Sequence, residues 1–221
     1  MRFLWSLLLI VPSDAAPVRV PQIDLVYQAG GTVFDRNCAA VTKSQASPSE
    51  VAETAQRTQE FQRRWNAEGP AYVKAALSAV GAPFPYRQMQ ATLTVCVGDM
   101  SSPLLISTKA HLSTATRPAP EWYFAFVVFH EIMHHYAREV YETSALRKKY
   151  ASEAVVTLNH LHVVAMEILA LKKAGTPAQL EYLADRYRKT PSVGHRRAWE
   201  IVNSEGEEAF IQEMKQGTRR R

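Results

Sequence analysis

The sequence predicts an α+β fold in which a small sheet precedes a mainly helical C-terminal half. Three observations carry that expectation. Two β-branched runs, QATLTVCV at 90–97 and PLLIS at 103–107, read as strands in the first half of the chain. From about Pro120 onward, nearly every segment shows helical periodicity. One of these segments, VVFHEIMHHYA at 127–137, is apolar on almost every side yet carries three histidines and a glutamate, so it should be a buried helix with polar business inside the core.

The elements follow in order. VPQIDLVYQ at 20–28 reads as a short strand or extended arm ended by Gly30 and Gly31. Ser47, Pro48 and Glu50 form a capping box with proline at the first helical position, starting a helix that runs to about Asn66. Gly69 and Pro70 should interrupt it, and a second helix then runs over 71–80 to Gly81. After the two strands come helices near 120–142, 151–174, 177–188, 194–203 and 207–216, the long pair being separated by Gly175 and Pro177.

At 221 residues, with 47% hydrophobic and 21% charged content, the chain has the make-up of a globular protein and not of a disordered one. The net charge of +5 includes the three terminal arginines at 219–221; without them the body carries about +2, which argues against a nucleic-acid partner. MRFLWSLLLIVPSDA has one positive charge at Arg2, an apolar run from Phe3 to Val11, then Pro12 and small residues, the pattern of a signal peptide cut between Ala15 and Ala16. The expected organisation is therefore a signal peptide at 1–15 and one domain at 16–221, exported to a periplasmic or extracellular location without a stable membrane anchor. Exactly two cysteines, Cys38 and Cys96, in an exported chain invite one disulfide, the alternative being two unrelated buried thiols.

The histidine-rich helix contains H-E-x-x-H. His130 and His134, four apart, leave the same helix face and can close on one metal ion; Glu131 sits beside that ion as a candidate general base for an activated water. A hydrogen-bonded core histidine would account for one of these residues but not for all three together. A catalytic zinc takes three protein ligands, so one more is needed. Val140 occupies the place of the third histidine in the metzincin spacing, which excludes that class. On the helix expected at 151–174, Thr157, His160 and Glu167 fall within about 40° of Glu153 at a step of ~100° per residue, whereas His162 lies near the opposite side. This stripe is either part of the site or an internal hydrogen-bond network.

HEIMH, followed after eighteen residues by Glu153 in the setting SEA, resembles the gluzincin metallopeptidases, and the gap is similar to that of their aminopeptidase-N-type members. The resemblance covers about 25 residues. It implies a zincin-like fold, Zn2+ held by His130, His134 and Glu153, Glu131 as the catalytic base, and a zinc-dependent endopeptidase acting on peptide or protein substrates. The G-x-M-E-N segment of aminopeptidases is absent, and Thr157 replaces an aspartate seen in many gluzincins. His160 is the second candidate for the third ligand. Glu181, in LEYLADRY, is the third; with Asp185 it resembles the ExxAD segment of the CAAX-processing type. Tyr136, Tyr150 and His195 are candidates for steadying an oxyanion, and the strand at 103–107 for gripping an extended peptide. A zinc amidase acting on cell-wall peptides and a non-catalytic zinc-binding protein are the alternative functions.

Overall fold

The computed structural model describes residues 18–28, 31–38, 45–96 and 98–219. The expected signal peptide at 1–15 lies outside them. The architecture is α+β, with four strands, β1 (Gln22–Val26), β2 (Gln88–Thr94), β3 (Met100–Ser101) and β4 (Leu104–Ser107), in one sheet of order β1-β2-β4-β3. The first three neighbours run parallel, with Val26 opposite Thr92 and Thr92 opposite Leu105, and β3 closes one edge antiparallel to β4. Ile23, Leu25, Ala91, Leu93 and Ile106 point inward by strand alternation and are buried.

Eight α-helices are described: α1 (Val33–Arg36), α2 (Pro48–Val80), α3 (Glu121–Ala137), α4 (Ala145–Lys149), α5 (Val155–Ala174), α6 (Pro177–Lys189), α7 (Val193–Glu205) and α8 (Glu207–Arg219). The capping box at Ser47 is present in both directions, Glu50 N–H to Ser47 Oγ at 3.2 Å and Ser47 N–H to Glu50 Oε2 at 2.9 Å. Thr176 caps α6 in the same way. Ser144 and Ser192 accept from the first-turn N–H groups of α4 and α7.

Four expectations need correction. The predicted break at Gly69 and Pro70 does not occur, and α2 runs through both residues. Pro70 removes only its own N–H from the ladder, while Phe61, Trp65, Tyr72, Val73, Ala76 and Leu77 bury one continuous face on both sides of it. Gly69 is there for space: a Cβ would lie 2.1 Å from the Trp65 ring. The second strand ends at Thr94, short of 97, because the Val95 N–H donates to Asp35 Oδ1 (2.8 Å) rather than to a neighbouring strand. The strand at 104–107 is an interior one: β3 covers it, and the Ser101 carbonyl is taken by His135 Nε2 at 2.6 Å, so the described sheet offers no long free edge there for a peptide. Finally, the helix expected from 151 begins only at Val155, after an extended Ala154 and the short α4.

The core lies where α5 meets α2, α3, α7 and α8. Phe124, Phe129, Ile132 and Met133 of α3 pack in it with Leu161, Val164, Ala165 and Met166 of α5, all fully buried. By length and composition α5 could cross a membrane, but here its surface is largely covered by the other helices, and His160, His162 and Glu167 ride on it. At the sheet end, the Cys38–Cys96 disulfide, with Cα atoms 5.3 Å apart, ties the segment after α1 to the end of β2. Beside it, burial works against ionisation of Asp35, but hydrogen bonds from Thr94, Thr32 and Val95 outweigh it and hold the carboxyl below its usual range.

α8 fastens the far side of α5. Glu213 accepts from Ser144 Oγ (2.5 Å) and Leu146 N–H (2.8 Å) and faces His162 Nε2 at 3.1 Å. Burial raises its pKa, but His162, Ser144 and Leu146 overcome that and lower it to about 2 from the ordinary 4.5. A depressed carboxylate stabilises the fold above its unfolded pKa and loses that contribution as pH falls through the folded one. Wild-type stability should therefore drop between about pH 4.5 and pH 2 more steeply than that of Glu213→Gln. Urea titrations across that range check it, and parallel pH profiles for the two proteins would contradict it.

Candidate metal centre

Helix periodicity brings the site together from three helices. On α3, His130, Glu131 and His134 face inward; on α5, His160 and Glu167 stand seven residues apart, two turns along one stripe; α7 brings His195. His130 Nε2 and His134 Nε2 are 3.2 Å apart. Ring centroids lie 4.9 Å apart for His130 and His134, 4.6 Å for His134 and His160, and 4.0 Å for His160 and His195. Ring nitrogens of His130, His160 and His195 all lie within 4.8 Å of one another, as do donor atoms of His130, Glu131 and His134.

Three of the four rings are held from behind. His130 Nδ1 is 2.8 Å from Glu167 Oε1, and Tyr187 O–H donates to Glu167 Oε2 at 2.6 Å. His160 Nδ1 is 2.7 Å from the Val156 carbonyl, which accepts only, so the proton sits on Nδ1 and Nε2 carries the free lone pair. His195 Nδ1 is 2.5 Å from Ser192 Oγ. The arrangement can hold a metal ion: neutral imidazoles with one nitrogen outward and the other hydrogen-bonded are the form in which histidine ligates.

The electrostatics divide the rings. Burial disfavours the His130 cation, but the adjacent Glu167 carboxylate outweighs it and raises the pKa to about 9, so His130 gives up a proton when its Nε2 takes a metal. Burial, then the charge of His130, pushes His134 and His160 far down, which leaves both rings neutral. Burial also raises Glu131 to about 7, with His130 pulling the other way. Its Oε1 is 3.9 Å from His130 Nε2, and it lines a cleft of about 320 Å3 together with Asp99, Tyr123, Arg186, Tyr187 and His195.

The sequence-derived residues divide clearly. Two donor groups share His130, one with Glu131 and His134 and one with His160 and His195, and the His134 and His160 rings are 4.6 Å apart. Glu153 does not: it precedes α5, so the helical phase that aligned it with His160 stops short of it, and its Oε1 pairs with Arg197 Nε at 2.8 Å. Glu181 is exposed on α6, and Asp185 pairs with Lys189. Tyr136 donates to the Ala82 carbonyl (3.0 Å) and Tyr150 bonds to Glu205, each engaged in packing the fold. Tyr187, Asp99 and Arg186 went unremarked in the sequence, where nothing near the motif announces them; Glu167 was visible as part of the polar stripe. A second cluster of donor groups, Asp35, Cys38 and Cys96, has its sulfurs joined in the disulfide.

Comparison of the chain with protein-family models, curated proteins and solved structures finds no match.

Two substitutions test these placements. Tyr187→Phe leaves the buried Glu167 Oε2 without its donor and should destabilise the fold by about 1–3 kcal/mol. Glu153→Gln breaks a partly exposed pair with Arg197 and should cost no more than about 1 kcal/mol. Urea unfolding reads both, and the reverse ranking would contradict the assignment.

Proposed function

We propose that this protein is an exported zinc-dependent hydrolase, an endopeptidase with a zincin-like arrangement, in which His130, His134 and His160 hold the metal and Glu131 is the general base. The observation that carries this reading is the approach of His130 Nε2 and His134 Nε2 to 3.2 Å. Two nitrogens bound at about 2.0–2.1 Å to one tetrahedral zinc lie about 3.3 Å apart, so the pair is already spaced for a shared ion. The Glu167–His130 contact and the Val156 carbonyl behind His160 supply the orientation that metal-bound histidines need. The third ligand moves from Glu153 to His160, because Glu153 is engaged by Arg197 and His160 is next to His134.

Zinc in such a site polarises a carbonyl and lowers the pKa of water toward neutrality. Glu131, buried and facing the cleft, is placed to take a proton from water and return it to the departing amine. His195 stands at the remaining side of the histidine set, held by Ser192, where its outward ring nitrogen can steady the oxyanion. The apolar N-terminal run and the Cys38–Cys96 disulfide both fit an oxidising, exported location.

Metal analysis of the purified protein should find about one zinc per chain, lost in His130→Ala, His134→Ala and His160→Ala and retained in Glu153→Ala, Glu181→Ala and His195→Ala. Zinc lost from Glu153→Ala but kept in His160→Ala would return the third place to the glutamate.

Glu131→Gln keeps the side chain's shape and removes the base. It should fold, bind zinc like wild type and lose chelator-sensitive peptide cleavage by at least about a hundredfold. Cleavage by wild type that survives in Glu131→Gln would contradict its role.

A further inference from the structure

Arg186 is the cation that the centre leaves unexplained. It lies on the cleft wall opposite the metal helix, with its guanidinium carbon 4.5 Å above the Tyr123 ring. A second cavity of about 330 Å3, lined by Lys109, His111 and Arg117, opens on the other side of it. The two cavities share Gly98, Asp99, Tyr123, Val127 and Arg186 in their walls, so Arg186 stands where the groove past Glu131 borders the space lined by Arg117.

Several other cations are paired with carboxylates. Lys189 pairs with Asp185 at 2.7 Å, Lys109 with Glu50 at 2.6 Å, and Arg57 with Glu53 and Glu60. Arg186, among the described residues, makes no ion pair within 4.0 Å. Asp99 borders both cavities too; its Oδ1 accepts from the Ser107 N–H at 2.7 Å, and its charge attracts Arg186 without forming an ion pair within 4.0 Å. Tyr123 holds the guanidinium through its ring and a hydrogen bond, and the planar fork of an arginine matches a carboxylate bidentately.

We propose that Arg186 binds a carboxylate of the substrate, so that the groove selects peptides with an acidic side chain or a free C-terminus close to the bond placed at Glu131. This rests on the hydrolase reading for the peptide nature of the substrate. Arg186 is a specificity-determining residue and takes no part in moving protons.

The experiment measures binding without turnover. Zinc-loaded Glu131→Gln is titrated into three dansylated short-peptide pools: internal Asp with an amidated C-terminus, internal Asn with an amidated C-terminus, and internal Asn with a free C-terminal carboxylate. Fluorescence anisotropy should show one carboxylate-bearing pool bound about tenfold more tightly than the neutral pool. Adding Arg186→Gln should erase that difference, and Arg186→Lys should restore part of it. Preference for internal Asp identifies a side-chain carboxylate; preference for the free terminus identifies a terminal one. Equal binding of all three pools, no binding of any, or a preference that survives Arg186→Gln would overturn the proposal. The wild-type protein is then incubated with the same pools. Selective binding without cleavage contradicts the hydrolase reading and leaves the carboxylate site standing; cleavage without selectivity does the opposite.

Discussion

The rest of the structure depends on one buried carboxylate. Glu167 is 2% exposed, and a carboxylate there is tolerated only when its oxygens are occupied. One oxygen meets His130 Nδ1 on α3 and the other accepts from Tyr187 on α6, so a single side chain on α5 fixes the relative placement of three helices. Because His130 is pinned through Nδ1, its Nε2 can only face the cleft. Because α3 is pinned by His130, His134 and Glu131 take fixed positions one turn on and one residue on. The polar contact and the apolar packing around it reinforce each other: Phe129, Ile132 and Met133 bury the flanking and opposite sides of the helix whose His130 Glu167 orients.

That interior chain explains why the two most hydrophobic helices carry the histidine cluster. A metal site needs rings that do not rearrange, and rotamers are best locked where packing is dense. The sheet contributes at a distance. Its parallel strands and the Asp35 network set the end of β2, the Cys38–Cys96 disulfide ties that end to α1, and the turn that follows carries Asp99 to the cleft mouth. Caps do the corresponding work for the helices that close the cleft: Ser192 both starts α7 and holds the His195 ring, so one hydroxyl fixes an element and a site residue together.

Much of this was legible in the sequence, for identifiable reasons. Periodicity alone placed His130 and His134 on one face and put Glu167 on the stripe of His160, because a continuous helix preserves phase. The same arithmetic failed for Glu153, since phase is lost where Ala154 becomes extended, and no residue before it marks that boundary with a side-chain cap. Pro70 misled in the opposite direction: the local signal for a break was overruled by a buried face running from Phe61 to Val80, whose energy is tertiary. The contributions of Tyr187, Arg186 and Asp99 come from elements remote in the chain, and only the packing of α6 and the β2–β3 turn against α3 brings them to the cleft. The disulfide was inferable from the cysteine count in a chain expected to be exported, whereas the hydrogen bonds around it come from the fold.

The central claim is that the four-residue spacing on α3 and the turned-in ring of His160 define one metal position. The most direct measurement is an anomalous difference map at the zinc edge from crystals of the zinc-loaded protein. The account predicts a single strong peak about 2.0–2.1 Å from the Nε2 atoms of His130, His134 and His160. A peak coordinated by Glu153, or no density between the three histidines in a protein that retains its zinc, would contradict it.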